Sequence, residues 1–273
     1  IESSIKYFLL GSFVSVFMIL SMAIIYLKTN TLNLNEIIST PQNTDLFFAS
    51  ALSFFLVSLL FKISIVPFHS WSVDVYCGSP TYIVLAIIGF VKLGVIVSLS
   101  RIFFKFESEV LKNIFYLLII LTITIPNISA LFTRNIKKIL VYSSISHAGY
   151  ILLALMGPER WQVYYYAVIY AINAFGAFAF VMMVEKNSTN IDYDSLKGFY
   201  HLNPSLSISL AIFLFSLAGV PPFAGFFAKF YSFYNAINGG YKYLVIYAAV
   251  TSAISLYYYL KILIPMFFER SIK

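Results

Sequence analysis

FFLVSLLFKISIVPF, residues 54–68, places Lys62 inside an apolar run, with Pro67 five residues later. GVPPFAGFFAKFYSFY, residues 219–234, holds Pro221, Pro222 and Lys229 in a second such run. A third lysine, Lys92, sits in YIVLAIIGFVKLGVIVSL, residues 82–99. A charged side chain near the centre of a bilayer costs at least about 2.5–3.5 kcal/mol, so three retained lysines mark a functional site. Proline removes a backbone donor and clashes with the preceding turn, so a helix breaks or kinks there. Inside a membrane such a break is tolerated where protein or cavity water satisfies the freed backbone groups.

Working outward, about 20 apolar residues per span give eight transmembrane helices, near 6–27, 46–75, 80–104, 114–133, 138–157, 162–185, 203–236 and 242–268. The fold class expected is therefore an all-α integral membrane protein. Composition agrees: 60% of the 273 residues are hydrophobic and 11% are charged, against about 25% charged in soluble domains. The formal charge of +7 reflects Lys and Arg at helix ends, as juxtamembrane anchors, and is no nucleic-acid signal. A single cysteine, Cys77, excludes an internal disulfide and a multi-cysteine metal site. No glycine-rich phosphate loop, nucleophile elbow or ligand-spaced His/Cys/Glu cluster is present, so no cofactor and no redox chemistry are expected in this chain.

The second and seventh helices carry the main breaks, at Pro67 and at Pro221 and Pro222; Pro126 and Pro265 are weaker kink candidates. An odd offset of five means the two broken helices cross in opposite directions, the mark of inverted-topology repeats. Residues 1–104 read as the C-terminal part of a first five-helix repeat, left incomplete, and 105–273 as the second. The distribution of Lys and Arg tips both termini toward the matrix or cytoplasmic side.

All 11 acidic residues map to loops or helix ends, so the membrane interior holds lysines and no evident carboxylate. A buried lysine is stable if it pairs with an acid or can lose its proton. The sequence therefore predicts a partner acid on another polypeptide, or lysines that switch charge as proton transfer requires. His147, in YSSISHAGY, is a candidate relay, with a structural histidine as the alternative; His69 beside Pro67 is similar. Ser143, Ser144 and Ser146 are expected to pack or to hydrogen-bond across helices. Lys261 is expected to snorkel. The runs Tyr164–Tyr166 and Tyr257–Tyr259 read as interfacial or packing aromatics.

Six stretches in order across the chain carry a family resemblance: ESSIKYFLLGSFVS, FKISIVPFHSWSVDVYCGSP, FVKLG, NIKKILVYSSISHAGYILLALM, FLFSLAGVPPFAGFFAKFY and AISLYYYLKI. The chain resembles the antiporter-like subunits of respiratory NADH:ubiquinone oxidoreductase, complex I, and within them the chain 2 type. The resemblance implies that Lys62, Lys92 and Lys229 belong to a row of protonatable groups along a hydrated axis, with His147 matching a recurrent histidine. It also implies a glutamate partner for Lys62, on an earlier helix that this sequence lacks.

The expectation is thus the C-terminal part of a split mitochondrial chain 2, contributing to proton translocation coupled to NADH oxidation and ubiquinone reduction elsewhere in the complex. Its partners would be other membrane-arm subunits, lipids and a separate polypeptide supplying the remaining helices and the glutamate. Abundant Phe, Tyr, Ile and Asn, a start at Ile1 and no arginine-rich presequence suggest an organellar gene and the mitochondrial inner membrane. Two rival readings are a multisubunit cation/proton antiporter without a redox partner, and a segment that has lost pumping.

Overall fold

The computed structural model describes residues 2–39, 46–104, 108–185 and 191–269. Asp45, Lys105, Glu107, Lys186, Arg270 and Lys273, all counted among the loop charges, lie outside the described residues. The regular structure is helical, in the order α1 (Glu2–Thr29), a short surface helix α2 (Leu34–Ser39), α3 (Leu46–Lys62) and α4 (Ser70–Gly78). Next, α5 (Thr81–Ala86) runs through a π-turn (Ile87–Val91) into α6 (Lys92–Phe103). Then come α7 (Glu109–Leu131), α8 (Ile136–Leu155), α9 (Trp161–Glu185), α10 (Phe199–Leu202), α11 (Pro204–Ala218), α12 (Ala224–Asn238) and α13 (Lys242–Phe268).

Six of these units are long and apolar enough to cross a membrane: α1, the α5–α6 composite, α7, α8, α9 and α13. Two interrupted spans, α3 with α4 and α11 with α12, complete the eight expected from the sequence. Both main breaks fall at the proline sites. Pro126 and Pro265, by contrast, lie inside continuous helices, with no break of the span at either.

Each break must satisfy the carbonyls that a helix end leaves without partners. At the first, Ser64 adopts a left-handed conformation (φ 65°). The Ser64 and Ile65 amides turn back to Phe61 and Leu60, and the Trp71 indole donates to the Phe61 carbonyl at 3.2 Å. Thr122 of α7 accepts from the Val66 amide at 3.2 Å. At the second, Gly219 closes α11 with φ 84°, and its amide and that of Val220 return to Phe215 and Ser216. Gly225 opens the following half-helix so close to α11 that a Cβ there would lie 1.8 Å from the Ser216 carbonyl oxygen.

The core is organised around α8, which is buried along its length except at Lys138 and Tyr142 and packs on α7, α9 and α12. Ion pairs gather at the face that carries the amino terminus. Lys6 reaches Glu2 and Asp74 at 2.7 and 2.8 Å. Lys197, on the α9–α10 connection, reaches Asp194 and Glu269 at 3.0 and 3.1 Å; these two carboxylates hold its ammonium above the ordinary lysine range.

Gly225→Ala should lower stability by about 1–3 kcal/mol through overpacking at the second break. Gly11→Ala, where an added Cβ meets nothing within 4 Å, should be near neutral. Thermal unfolding of the two variants in detergent checks the contrast.

Candidate functional site

Three of the singled-out residues come together along α8. Positions 144, 147 and 150 lie on successive turns, so Ser144, His147 and Tyr150 form three stations spread over about 9 Å of helix. Ser144 meets Lys92, which is 1% exposed: its Nζ lies 3.2 Å from the serine hydroxyl and 3.4 Å from the serine carbonyl. The π-turn immediately before Lys92 is where the third span departs from regular α geometry, a local form often associated with functional sites. The Tyr76 ring lies 5.7 Å from the same ammonium.

His147 is 4% exposed. Its Nδ1 is 2.9 Å from the Tyr166 hydroxyl, and its ring stacks on Tyr170 at 5.2 Å. At the third station the Tyr150 ring faces the Lys229 ammonium at 5.2 Å, and Lys229 is 5% exposed. Lys229 donates to the Ala218 carbonyl at 2.9 Å and to the Ser252 hydroxyl at 2.7 Å. Ala218 ends α11, so the lysine satisfies an orphaned carbonyl at the negative end of a half-helix. The break and the buried charge support each other.

Behind Tyr150, Asn127 donates to the Ile123 carbonyl at 2.7 Å and accepts from the Tyr258 hydroxyl at 3.0 Å. Thr251 lies 3.3 Å from the Tyr150 hydroxyl. These groups tie α7, α8 and α13 into one polar layer. Tyr258 and Tyr259 are buried while Tyr257 is exposed, and Tyr259 hydrogen-bonds Ser143. Tyr257 thus fits the interfacial part of the sequence reading and Tyr258 and Tyr259 the packing part, their rings 4.6 Å apart; the hydrogen bonds of Tyr259 and Tyr166 come in addition. Lys261 donates at 3.2 Å to the Leu131 carbonyl, the last of α7, so its ammonium caps the end of a neighbouring span.

Lys62 stands apart. Half-buried at the end of α3, its Nζ approaches the Met18 sulfur at 3.5 Å. It borders a groove of about 510 Å³ lined by α1 residues including Tyr7, Gly11 and Ser15, and by Trp71, Ile87 and Val91. Ile87 and Val91 belong to the π-turn that precedes Lys92, so the groove leads toward the second lysine. Among the described residues, no carboxylate pairs with Lys62, Lys92 or Lys229. No group of three or more His, Cys, Asp or Glu side chains there could hold a metal ion.

The family model described as "NADH:quinone oxidoreductase/Mrp antiporter, TM" matches residues 1–255. The chain belongs to this family. NADH-quinone oxidoreductase subunit N 1 of Thermodesulfovibrio yellowstonii is 37% identical over 278 aligned positions, covering 100% of this chain and 60% of the relative. Subunit N of Cytophaga hutchinsonii is 38% identical, over 98% of this chain and 60% of that one. Both relatives are bacterial, and this chain spans less than two-thirds of their length. Among solved structures, a chain of respiratory complex I from Thermus thermophilus with bound aureothin superposes with a TM-score of 0.86 at 33% identity, over 99% of this chain and 60% of that one. A chain of the Mrp complex from Dietzia sp. DQ12-45-1b gives a TM-score of 0.92 at 23% identity, over 99% and 52%; that likeness speaks for the fold alone.

Ser252→Ala removes the shorter of the two Lys229 hydrogen bonds, and a bond to a charged group contributes about 1.5–3 kcal/mol. Thermal unfolding in detergent should show a loss in that range. Ser98→Ala, at a hydroxyl bonded only within its own helix, should change stability far less.

Proposed function

We propose that this chain is a membrane-arm subunit of mitochondrial NADH:ubiquinone oxidoreductase that carries protons along Lys62, Lys92, His147 and Lys229. The observation that carries the reading is the row of stations on α8, with two buried ammonium groups held by neutral partners at either end. A serine hydroxyl accepts from an ammonium and can equally donate to the lone pair of a neutral amine. Ser144 and Ser252 therefore serve both charge states, whereas a carboxylate would favour the charged one. His147 and Tyr166 offer a donor and acceptor pair between them, in either histidine tautomer. A change of charge nearby would then move the proton from one station to the next, with no redox step in this chain.

Lys62 differs because it faces a groove instead of a core. A membrane helix bearing a carboxylate would fill that groove and neutralise the ammonium; we assign this role to a segment outside the present sequence. Residues 1–104 and 105–273 are read as parts of two inverted repeats, in agreement with the opposite directions of the α3–α4 and α11–α12 spans. The quinone chemistry named for the relatives would take place in other subunits. The richness in Phe, Tyr, Ile and Asn supports a mitochondrial inner membrane, and the proton chemistry would be the same in the membranes of the bacterial relatives.

Lys229→Met and Lys62→Met should each lower proton translocation in the assembled complex reconstituted into vesicles and driven by NADH. Removing a positioned proton-transfer group typically costs on the order of 10²–10⁴ in the rate of that transfer. An assembled Lys229→Met complex with an unchanged proton-to-electron ratio would remove the role assigned to the lysine.

A further inference from the structure

The sequence places every carboxylate at a helix end or in a loop, and one of them is nevertheless drawn into the protein. Glu185, the last residue of α9, accepts from the Lys137 ammonium at 2.8 Å. The two side chains are 23% and 7% exposed, the deepest ion pair among the described residues. Lys137 also donates at 2.8 Å to the Ser79 carbonyl, just beyond α4, and the Thr81 hydroxyl donates to the other Glu185 oxygen. Three segments thus converge on one carboxylate: the start of α8, the end of α9 and the α4–α5 turn.

The pair borders a cavity of about 240 Å³ at the amino-terminal face, lined also by Cys77, Asn135 and Lys138. The groups facing Glu185 are Lys137 and Lys138 from α8, Cys77 from α4 and Thr81 from α5. Asp74, one turn back on α4, is engaged by Lys6, and Asp192 is engaged through its backbone opposite Asn135. The inner wall leads to the buried lysines. Tyr76, next to Cys77, has its ring against Lys92, and its buried hydroxyl has no protein partner among the described residues. Lys137 and Ser144 are seven residues apart, two turns along one stripe of α8 and about 10 Å in rise. The cavity therefore lies about two turns of α8 from the Lys92 station.

We propose that Glu185 is a proton-exchange site linking the aqueous phase at the amino-terminal face to Lys92. A carboxylate oxygen takes a proton from hydronium at that face, forming an O–H bond, and the ion pair with Lys137 becomes a hydrogen bond to a neutral acid. Passing the proton inward restores the carboxylate, and Lys137 keeps its own charge throughout. No oxidant or reductant takes part. The proposal rests on the proton-translocation reading and gives it an entry or exit point on this chain.

The test is NADH-driven proton flux across vesicles holding the intact complex, measured over a range of pH for Glu185→Gln, Glu185→Asp and, as a control, Lys229→Met. Glu185→Gln should assemble and lose flux by on the order of tenfold, more at alkaline than at acidic pH, with Glu185→Asp recovering most of it. Normal flux in Glu185→Gln beside low flux in Lys229→Met overturns this site alone. Normal flux in both overturns the lysine axis with it. Equal losses in Gln and Asp with a flat pH profile also overturn the proposal, since a purely structural latch behaves that way. If Glu185→Gln does not assemble, Thr81→Val decides. It keeps the carboxylate but removes the hydroxyl that holds its second oxygen, so proton flux should fall while assembly is kept. Unchanged flux overturns the proposal.

Discussion

Orphaned carbonyls at helix ends inside a low-dielectric slab are the constraint on which the rest of this structure depends. Water cannot reach them freely, and each one left unmet costs several kcal/mol. The protein meets several of them with lysine. Lys229 serves Ala218 at the end of α11, Lys261 serves Leu131 at the end of α7, and Lys137 serves Ser79 beyond α4. An ammonium at the negative end of a helix is favourably placed by the helix dipole. At the second break the buried charge and the broken helix are therefore one arrangement: the break supplies the acceptor, and Lys229 supplies the donor.

That arrangement also leaves the charge uncommitted. Lys92 and Lys229 hold to hydroxyl and carbonyl oxygens, which tolerate loss of a proton better than a carboxylate partner would. Helix α8 supplies the scaffold, because a helix buried on all sides presents a new residue to the interior at every turn. Ser144, His147 and Tyr150 use that property, while the Asn127–Tyr150–Tyr258 layer fixes the third station from behind. At the amino-terminal face the pattern reverses, and Lys137 is committed to Glu185. Lys137 is held by a carboxylate near that face, whereas the deeper Lys92 and Lys229 are held by neutral groups.

Much of this was legible in the sequence because proline and lysine act locally. Pro67 and Pro221–Pro222 announce their breaks, since a missing donor needs no tertiary context. Apolar run lengths give the eight spans for the same reason. Pro126 and Pro265 show the limit: both helices continue through them, so a proline alone does not announce a break. The polar layer was invisible because Asn127, Tyr150 and Tyr258 lie on separate helices. In α13 three consecutive tyrosines have different fates, decided by helix rotation alone, and no apolar stripe marks which way the helix faces. Glu185 looked like a surface acid until Lys137 and Thr81 were brought to it from two other elements.

The central claim is that this chain moves protons as part of a redox-driven assembly. The most direct measurement purifies the native assembly in mild detergent, identifies its companions by mass spectrometry, and reconstitutes it into vesicles supplied with NADH and quinone. The account predicts recovery with flavin and iron–sulfur subunits, and a pH gradient that grows as NADH is consumed. Recovery with antiporter-like membrane chains alone, and cation-driven proton exchange that ignores NADH, would contradict it.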